Sequence, residues 1–294
     1  MIGGLKTLAQ NPQRGKRGAI CVRSRHLVWG ERTYIMGIVN ATPDSFSGDG
    51  RPSTDAAIQH AAAQIERSAD LVDIGAESTR PGHTPIDEAT ELERLIPVIA
   101  GTRQALGDDV IISADTFKPA VFRAAHAAGA DVLNSIWGLS DELLAAAVEF
   151  AAPVVIMHNK AVTLYERDVV DEILTHLDAA ARRAVRAGIP AEHVILDPGI
   201  GFGKLPDHNI AVLAALPRLV ALGFPTMLGT SRKSTIGKLT GRDPQERIYG
   251  TAATVALGIA AGIDIVRVHD VSEIRDVVSV CDAIERNWRP PTWM

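Results

Sequence analysis

Cysteine is almost missing from this sequence: Cys21 and Cys281 are the only two among 294 residues, which excludes a disulfide framework and a Cys-based zinc site. One bridge is the most they allow, and a reducing cytoplasm is the expected compartment. Aromatic residues are scarce at 4%, so the 46% hydrophobic content must build its core mainly from Ala, Val, Ile and Leu. That content also excludes disorder over most of the chain. Neither sign of charge dominates: 30 Lys and Arg against 35 Asp and Glu leave −5 at pH 7, so no broad electrostatic grip on nucleic acid or an acidic membrane is expected. Met1 to Arg17 holds Lys6, Arg14, Lys16 and Arg17 but no apolar run of signal-peptide length, and it reads as a loose leader. The most apolar long window, Thr251 to Val266, carries Asp264, which is costly in lipid, so no membrane span is expected there. The HExxH, GxSxG and EF-hand motifs are absent, and the nine histidines show no metal-ligand spacing. His60, His126, His176 and His193 read as ordinary surface or packing residues.

What is present is a rhythm. Short β-branched runs alternate with stretches of helical period from Tyr34 onward, predicting strands at Tyr34 to Asn40, Leu71 to Gly75, Val110 to Asp115, Val132 to Ser135, Val154 to Met157, Val194 to Asp197, Thr226 to Gly229 and Ile265 to His269. Most are apolar throughout, as in a parallel sheet covered on both faces. Helix starts are signalled by Ser53, Thr54 and Asp55, by Asp87, by Asp141, by Asp171 and by Asp243 with Pro244. Gly129, Gly188, Gly223 and Gly262 stand where helices would end in left-handed caps. No Pro- or Ser-rich linker interrupts the pattern, so one (β/α)8 barrel over residues 21–294, behind a flexible leader at 1–20, outranks two doubly wound domains. Residues Cys21 to Gly30 are expected to form an extra hairpin closing the barrel floor.

The polar residues cluster at one end of the strands. Asn40, Asp73 with Glu77, Asp115, Asn134, His158, Asp197, Ser231 and His269 stand at strand ends, the face where barrel active sites lie. Any one of them could be a turn residue or helix cap; nearly every strand showing the same feature points to a shared basin. Arg267 and His269 are two apart and project to one side, as do Ser113 and Asp115. An Arg inside a barrel must meet an anion or a flat π surface.

Three loops stand out. Gly199-Ile-Gly201-Phe-Gly203-Lys204 fits neither the Walker nor the dinucleotide spacing, because Pro198 and Leu205 stand at key Walker positions and Lys204 breaks the other. Thr230-Ser-Arg-Lys-Ser234 sets hydroxyls and cations where a helix should begin, a natural carboxylate or phosphate site. Asn40 to Gly50 is too long and too rich in Gly, Ser and Asp for a minimal turn, and a mobile lid is its expected purpose.

Met36-Gly-Ile-Val-Asn40-Ala-Thr-Pro-Asp-Ser-Phe46, Asp73-Ile-Gly-Ala-Glu-Ser-Thr-Arg-Pro-Gly82, Asp197-Pro-Gly-Ile-Gly-Phe-Gly-Lys204, Gly229-Thr-Ser-Arg-Lys-Ser234 and Arg267-Val-His-Asp270 together resemble the dihydropteroate synthase family, from about Val28 to Ile284. The resemblance implies a folate-pathway transferase that joins 4-aminobenzoate to 6-hydroxymethyl-7,8-dihydropterin diphosphate by an SN1-like loss of pyrophosphate. By the same resemblance Asp115, Asn134 and Asp197 hold the pterin's polar edge, with Lys233 and Arg267 against its ring. Asn40, Thr79, Arg267 and His269 belong to the diphosphate region, with Asn40 toward Mg²⁺. Thr42, Phe46, Thr79, Arg80 and Pro81 form lids that, with Phe202 and Ser234, complete the aminobenzoate pocket. Arg80 counts with Asn40, Lys233, Arg267 and His269 among the catalytic groups. A homodimer with an interface near Thr251 to Ala261, a cytoplasmic location and competition by sulfonamides are further implications.

The sequence departs from the family pattern in three places: Asn134-Ser135 where Asn-Asp is usual, Ser47-Gly-Asp49-Gly50 where the acid stands one place earlier, and Ala76 for a glycine. Two alternatives therefore stay open, a catalytically impaired pterin-binding paralogue and a methyltetrahydrofolate:corrinoid protein methyltransferase. Mg²⁺-dependent pyrophosphate release separates both from an active synthase.

Overall fold

A computed structural model describes residues 15–41, 54–77 and 85–289. Its strands form where the sequence is apolar on both faces. β1 (Ala19–Val22) and β2 (Arg25–Val28) make an antiparallel hairpin. After them come β3 (Tyr34–Asn40), α1 (Thr54–Glu66), β4 (Leu71–Gly75), α2 (Glu88–Leu106), β5 (Ile111–Asp115), α3 (Pro119–Ala127), β6 (Val132–Ser135), α4 (Asp141–Glu149), β7 (Val154–Met157) and α5 (Val169–Arg186). The chain continues with β8 (Val194–Asp197), α6 (Pro206–Ala214), α7 (Leu216–Val220), β9 (Met227–Leu228), α8 (Ser234–Thr240), α9 (Ile248–Ala261), β10 (Ile265–Val268) and α10 (Val271–Glu285).

The eight parallel strands run in the order β8-β7-β6-β5-β4-β3-β10-β9, and a parallel bridge from Leu196 to Thr226 brings β8 against β9. The result is a (β/α)8 barrel, as the alternation predicts. Expected strand bounds agree with these to within one residue at each end.

Side-chain parity divides the interior. Outward residues such as Val72, Ile74, Ile112, Leu133, Val154 and Leu196 join the helices in one core. The inward residues nearest the strand starts, Tyr34, Met36, Leu71, Ile111, Val132, Val155, Ile195 and Ile265, pack with Ile20, Val22, Leu27 and Trp29 of the hairpin region. The hairpin therefore plugs the floor, as expected. Trp29 meets Tyr34 edge-on at 5.8 Å, and its indole N–H donates to the Glu192 carbonyl at 2.9 Å.

Several boundaries differ from expectation. Arg17 and Ala19 to Ile20, assigned to the leader from sequence, have partners in the fold: Arg17 is buried with Nη2 2.7 Å from Asp264 Oδ1, and Ala19 and Ile20 open β1. That pair also explains Asp264, whose carboxylate accepts from Gly30 N and Thr226 N. α4 is capped by Ser140, which accepts from Leu143 N, and α5 by Asp168, which accepts from Val170 N and Asp171 N. Asp141 and Asp171 lie inside the first turns, where a carboxylate favours the helix dipole without capping it. Pro244 opens only a 3₁₀ turn, and α9 starts at Ile248. Gly129, Gly188, Gly223 and Gly262 adopt the left-handed φ expected of them. No helix among the described residues is long and apolar enough to cross a membrane.

Candidate active site

Two residues beyond the apolar floor, the same inward parity brings up polar side chains. Asp73 on β4 is fully buried and accepts three hydrogen bonds: from Ser113 Oγ at 2.6 Å, Asn134 Nδ2 at 2.9 Å and Arg267 Nε at 2.6 Å. Arg267 Nη2 also donates to Asp115 Oδ2 at 3.0 Å. One guanidinium thus faces two buried carboxylates. Burial, followed by the charge of Asp73, pushes Asp115 up to about 7 against the pull of Arg267.

Across the barrel, Asp197 Oδ1 accepts from Gly199 N at 2.7 Å. Its pKa is raised by burial, with Lys233 opposing. Lys233 Nζ donates to the Ile200 carbonyl and lies 4.5 Å from the centre of the Phe202 ring. Burial lowers it to about 8 although Asp197 works the other way. These groups meet around a missing side chain: a Cβ at Gly229 would lie 3.8 Å from Asp197 Oδ2, 3.9 Å from Lys233 Nζ and 3.9 Å from Arg267 Cβ. Asp115, Asn134, Asp197, Lys233 and Arg267 therefore converge on one basin.

The rim is organised differently. His269 Nδ1 lies 3.0 Å from Ser231 Oγ, and its carbonyl accepts from Gln64 Nε2 at 3.1 Å. Arg232 pairs with Asp270, its Nε 3.0 Å from Oδ2, so of the two cations after β9 only Lys233 enters the basin. Ser234 is exposed at the first position of α8, and Asn40 stands half-buried at the end of β3. Thr42, Phe46, Ser47, Asp49, Thr79, Arg80 and Pro81 lie outside the described residues. Ser135 is buried with outward parity, and its hydroxyl donates to the Gly138 carbonyl, closing a turn away from the basin.

His158 does not join the basin. It follows Met157, so its parity is outward, and it sits 5.1 Å from His176 and 6.2 Å from Tyr165, ring to ring. Burial, then the charges of Lys204 and His176, push it down to about 3. Two residues carry more than their spacing announces. Asp73 stood among the strand-end acids without a role, although its parity with Asp115 could have placed it inward. Lys204 had no such signal, because it is brought in by a loop.

The matching family model, described as pterin binding enzyme, covers residues 36–269. The chain is 44% identical over 272 residues to dihydropteroate synthase of Synechocystis, covering 89% of this chain and 92% of that protein. A dihydropteroate synthase of Xanthomonas albilineans solved with 4-aminobenzoic acid is 41% identical with a TM-score of 0.86, covering 92% of this chain and 99% of that one. The enzyme from the same organism in complex with 7,8-dihydropteroate is 39% identical with a TM-score of 0.83, covering 92% and 100%.

Proposed function

The chain belongs to the dihydropteroate synthase family of pterin-binding enzymes, and from that premise we propose how its residues divide the work. It is a transferase that condenses 4-aminobenzoate with 6-hydroxymethyl-7,8-dihydropterin diphosphate, giving 7,8-dihydropteroate and pyrophosphate. The observation that carries the assignment of roles is the convergence of Asp197, Lys233 and Arg267 on the space left open at Gly229.

Asp115, Asn134 and Asp197 grip the aminopyrimidinone edge, whose N–H donors need fixed acceptors in a dry pocket. Lys233 approaches the ring carbonyl. Arg267, held in plane by Asp73 and Asp115, offers a flat cationic face to the pterin and reaches toward phosphate. Asn40 and His269 face the diphosphate, whose charge grows as the methylene C–O bond breaks and the electron pair leaves with pyrophosphate. The neutral arylamine then forms the C–N bond and loses its proton to water, so no general base activates it. Phe202 walls the aminobenzoate ring and Ser234 meets its carboxylate; Thr42, Phe46, Thr79, Arg80 and Pro81 close over both.

Among the described residues no group of three His, Cys, Asp or Glu could hold a metal. Asn40, a single carboxamide, would hold a Mg²⁺ only together with the diphosphate, and the ion would supply charge neutralisation for the leaving group. Free Cys21 and Cys281 agree with a reducing cytoplasm. The uncharged helix α9 supports a homodimer through that face.

Purified protein with Mg²⁺, aminobenzoate and the pterin diphosphate should release pyrophosphate and form 7,8-dihydropteroate, with sulfonamide competing against aminobenzoate. Pterin binding without turnover would transfer the reading to an impaired paralogue, and methyl transfer to a corrinoid protein would replace it.

A further inference from the structure

The loop after β8 is built on three glycines. Gly199, Gly201 and Gly203 all take left-handed φ, of 68°, 85° and 57°. A Cβ at Gly199 would sit 2.0 Å from the His158 carbonyl oxygen, so the backbone approaches more closely than any other residue allows. Such a loop needs side-chain fastening, and one buried side chain near its end does much of it. Lys204 Nζ donates to the carbonyls of Gly199 at 2.9 Å, Phe202 at 3.0 Å and His158 at 3.3 Å, and lies 3.1 Å from His158 Nδ1. Tyr165 Oη and Asn209 Oδ1 hold the same loop at Gly203 O and Gly201 N.

We propose that Lys204 is a positioning residue that fixes the aminobenzoate wall, pinning the carbonyls of Gly199 and Phe202 so that the Phe202 ring stands against Lys233. The proposal rests on the transferase reading above. A buried ammonium costs several kcal/mol unless it is fully hydrogen-bonded, and here three carbonyls turn inward to meet it. Its reach is greatest within the loop: Asp197 is also held by its pairing with Met157 and Lys233 by the turn into α8, and each makes one bond to the loop backbone, at Gly199 N and at the Ile200 carbonyl. Loss of the pin therefore displaces Phe202 first. The pterin edge, which also rests on Asp115 and Asn134 on other strands, moves less.

The test compares Lys204→Met, Lys204→Gln and Phe202→Leu in steady-state kinetics, varying each substrate separately, with melting temperatures recorded alongside. Lys204→Met should raise KM for aminobenzoate by about tenfold or more while KM for the pterin diphosphate moves by less than about threefold. Lys204→Gln keeps two donors for the carbonyls, so it should fold and fall between wild type and Lys204→Met. Combining Lys204→Gln with Phe202→Leu should be clearly less than additive in aminobenzoate KM, because both act through one ring. The proposal is overturned if the folded variants leave both KM values unmoved and lower only the melting temperature. Additive effects, or an equal rise in both KM values, overturn it too. Wild-type pyrophosphate release in the same assay separates the two claims: without it the activity fails, and with it an unmoved KM removes only the role of Lys204.

Discussion

At the scale of single residues, the basin stores electrostatic cost. Asp115 is held at about 7 by burial and by Asp73, so its ionised form, which accepts from a pterin at both oxygens, is unfavourable for the fold. Between an unfolded value of about 4 and the folded value, the native protein keeps a proton that the unfolded chain has lost, so stability falls as pH rises through that window. Asp115→Asn should accordingly raise the melting temperature by a few degrees near pH 8, with the gain disappearing near pH 4. The same change should weaken pterin binding by about 100-fold, since an amide presents a donor where the substrate presents donors. Scanning calorimetry at the two pH values and pterin titration read both effects. A lower melting temperature near pH 8 would mean that the Arg267 pair outweighs the burial cost.

At the scale of elements, parity explains what could be read from letters and what could not. Strand runs such as Val154 to Met157 were visible because both faces are apolar, and Arg267 with Asp115 could be aimed inward by alternation alone. The same rule, applied from Met157, would have turned His158 outward; its position at a strand end suggested otherwise. Asp168 was overlooked as the cap of α5 because Asp171-Glu172 is the more conspicuous acidic pair, although Val169 and Val170 already begin the buried face. Lys204 stayed hidden because its partners are carbonyl oxygens of a glycine loop, which leave no mark in residue type. The floor hairpin is the element whose removal should hurt stability and spare chemistry. Trp29→Ala deletes a fully buried ring, so it should cost about 3–5 kcal/mol, which lowers the melting temperature by roughly 10 °C. KM values measured well below that transition should stay within about twofold of wild type, because the ring packs at the opposite end of the strands from Asp115 and Asp197. A rise in pterin KM would show that the floor and the basin are mechanically coupled.

At the scale of the whole molecule, one helix is left without charge. Helix α9 carries no Asp, Glu, Lys or Arg, and Tyr249, Ala253, Leu257 and Ala260 form an exposed stripe at helical spacing, with Tyr249 86% and Leu257 67% exposed. Its neighbour α10 adds Val280 and Ile284, 60% and 73% exposed. Exposed apolar residues of this kind suit association, and we propose that a two-fold pairing of α9 and α10 with their copies covers them. Asp115, Asn134, Asp197 and Arg267 stand at inward positions of barrel strands and Lys233 at the start of α8, none of them on α9 or α10, so the pairing should support stability rather than chemistry. Sedimentation equilibrium at micromolar concentration should give twice the chain mass for the wild type and the single mass for Leu257→Arg, because an unpaired guanidinium at the centre of the contact would be desolvated. The monomer should melt several degrees lower and keep kcat near the wild-type value. A Leu257→Arg protein that remains dimeric would move the interface off this face, and a monomeric wild type would remove the pairing altogether.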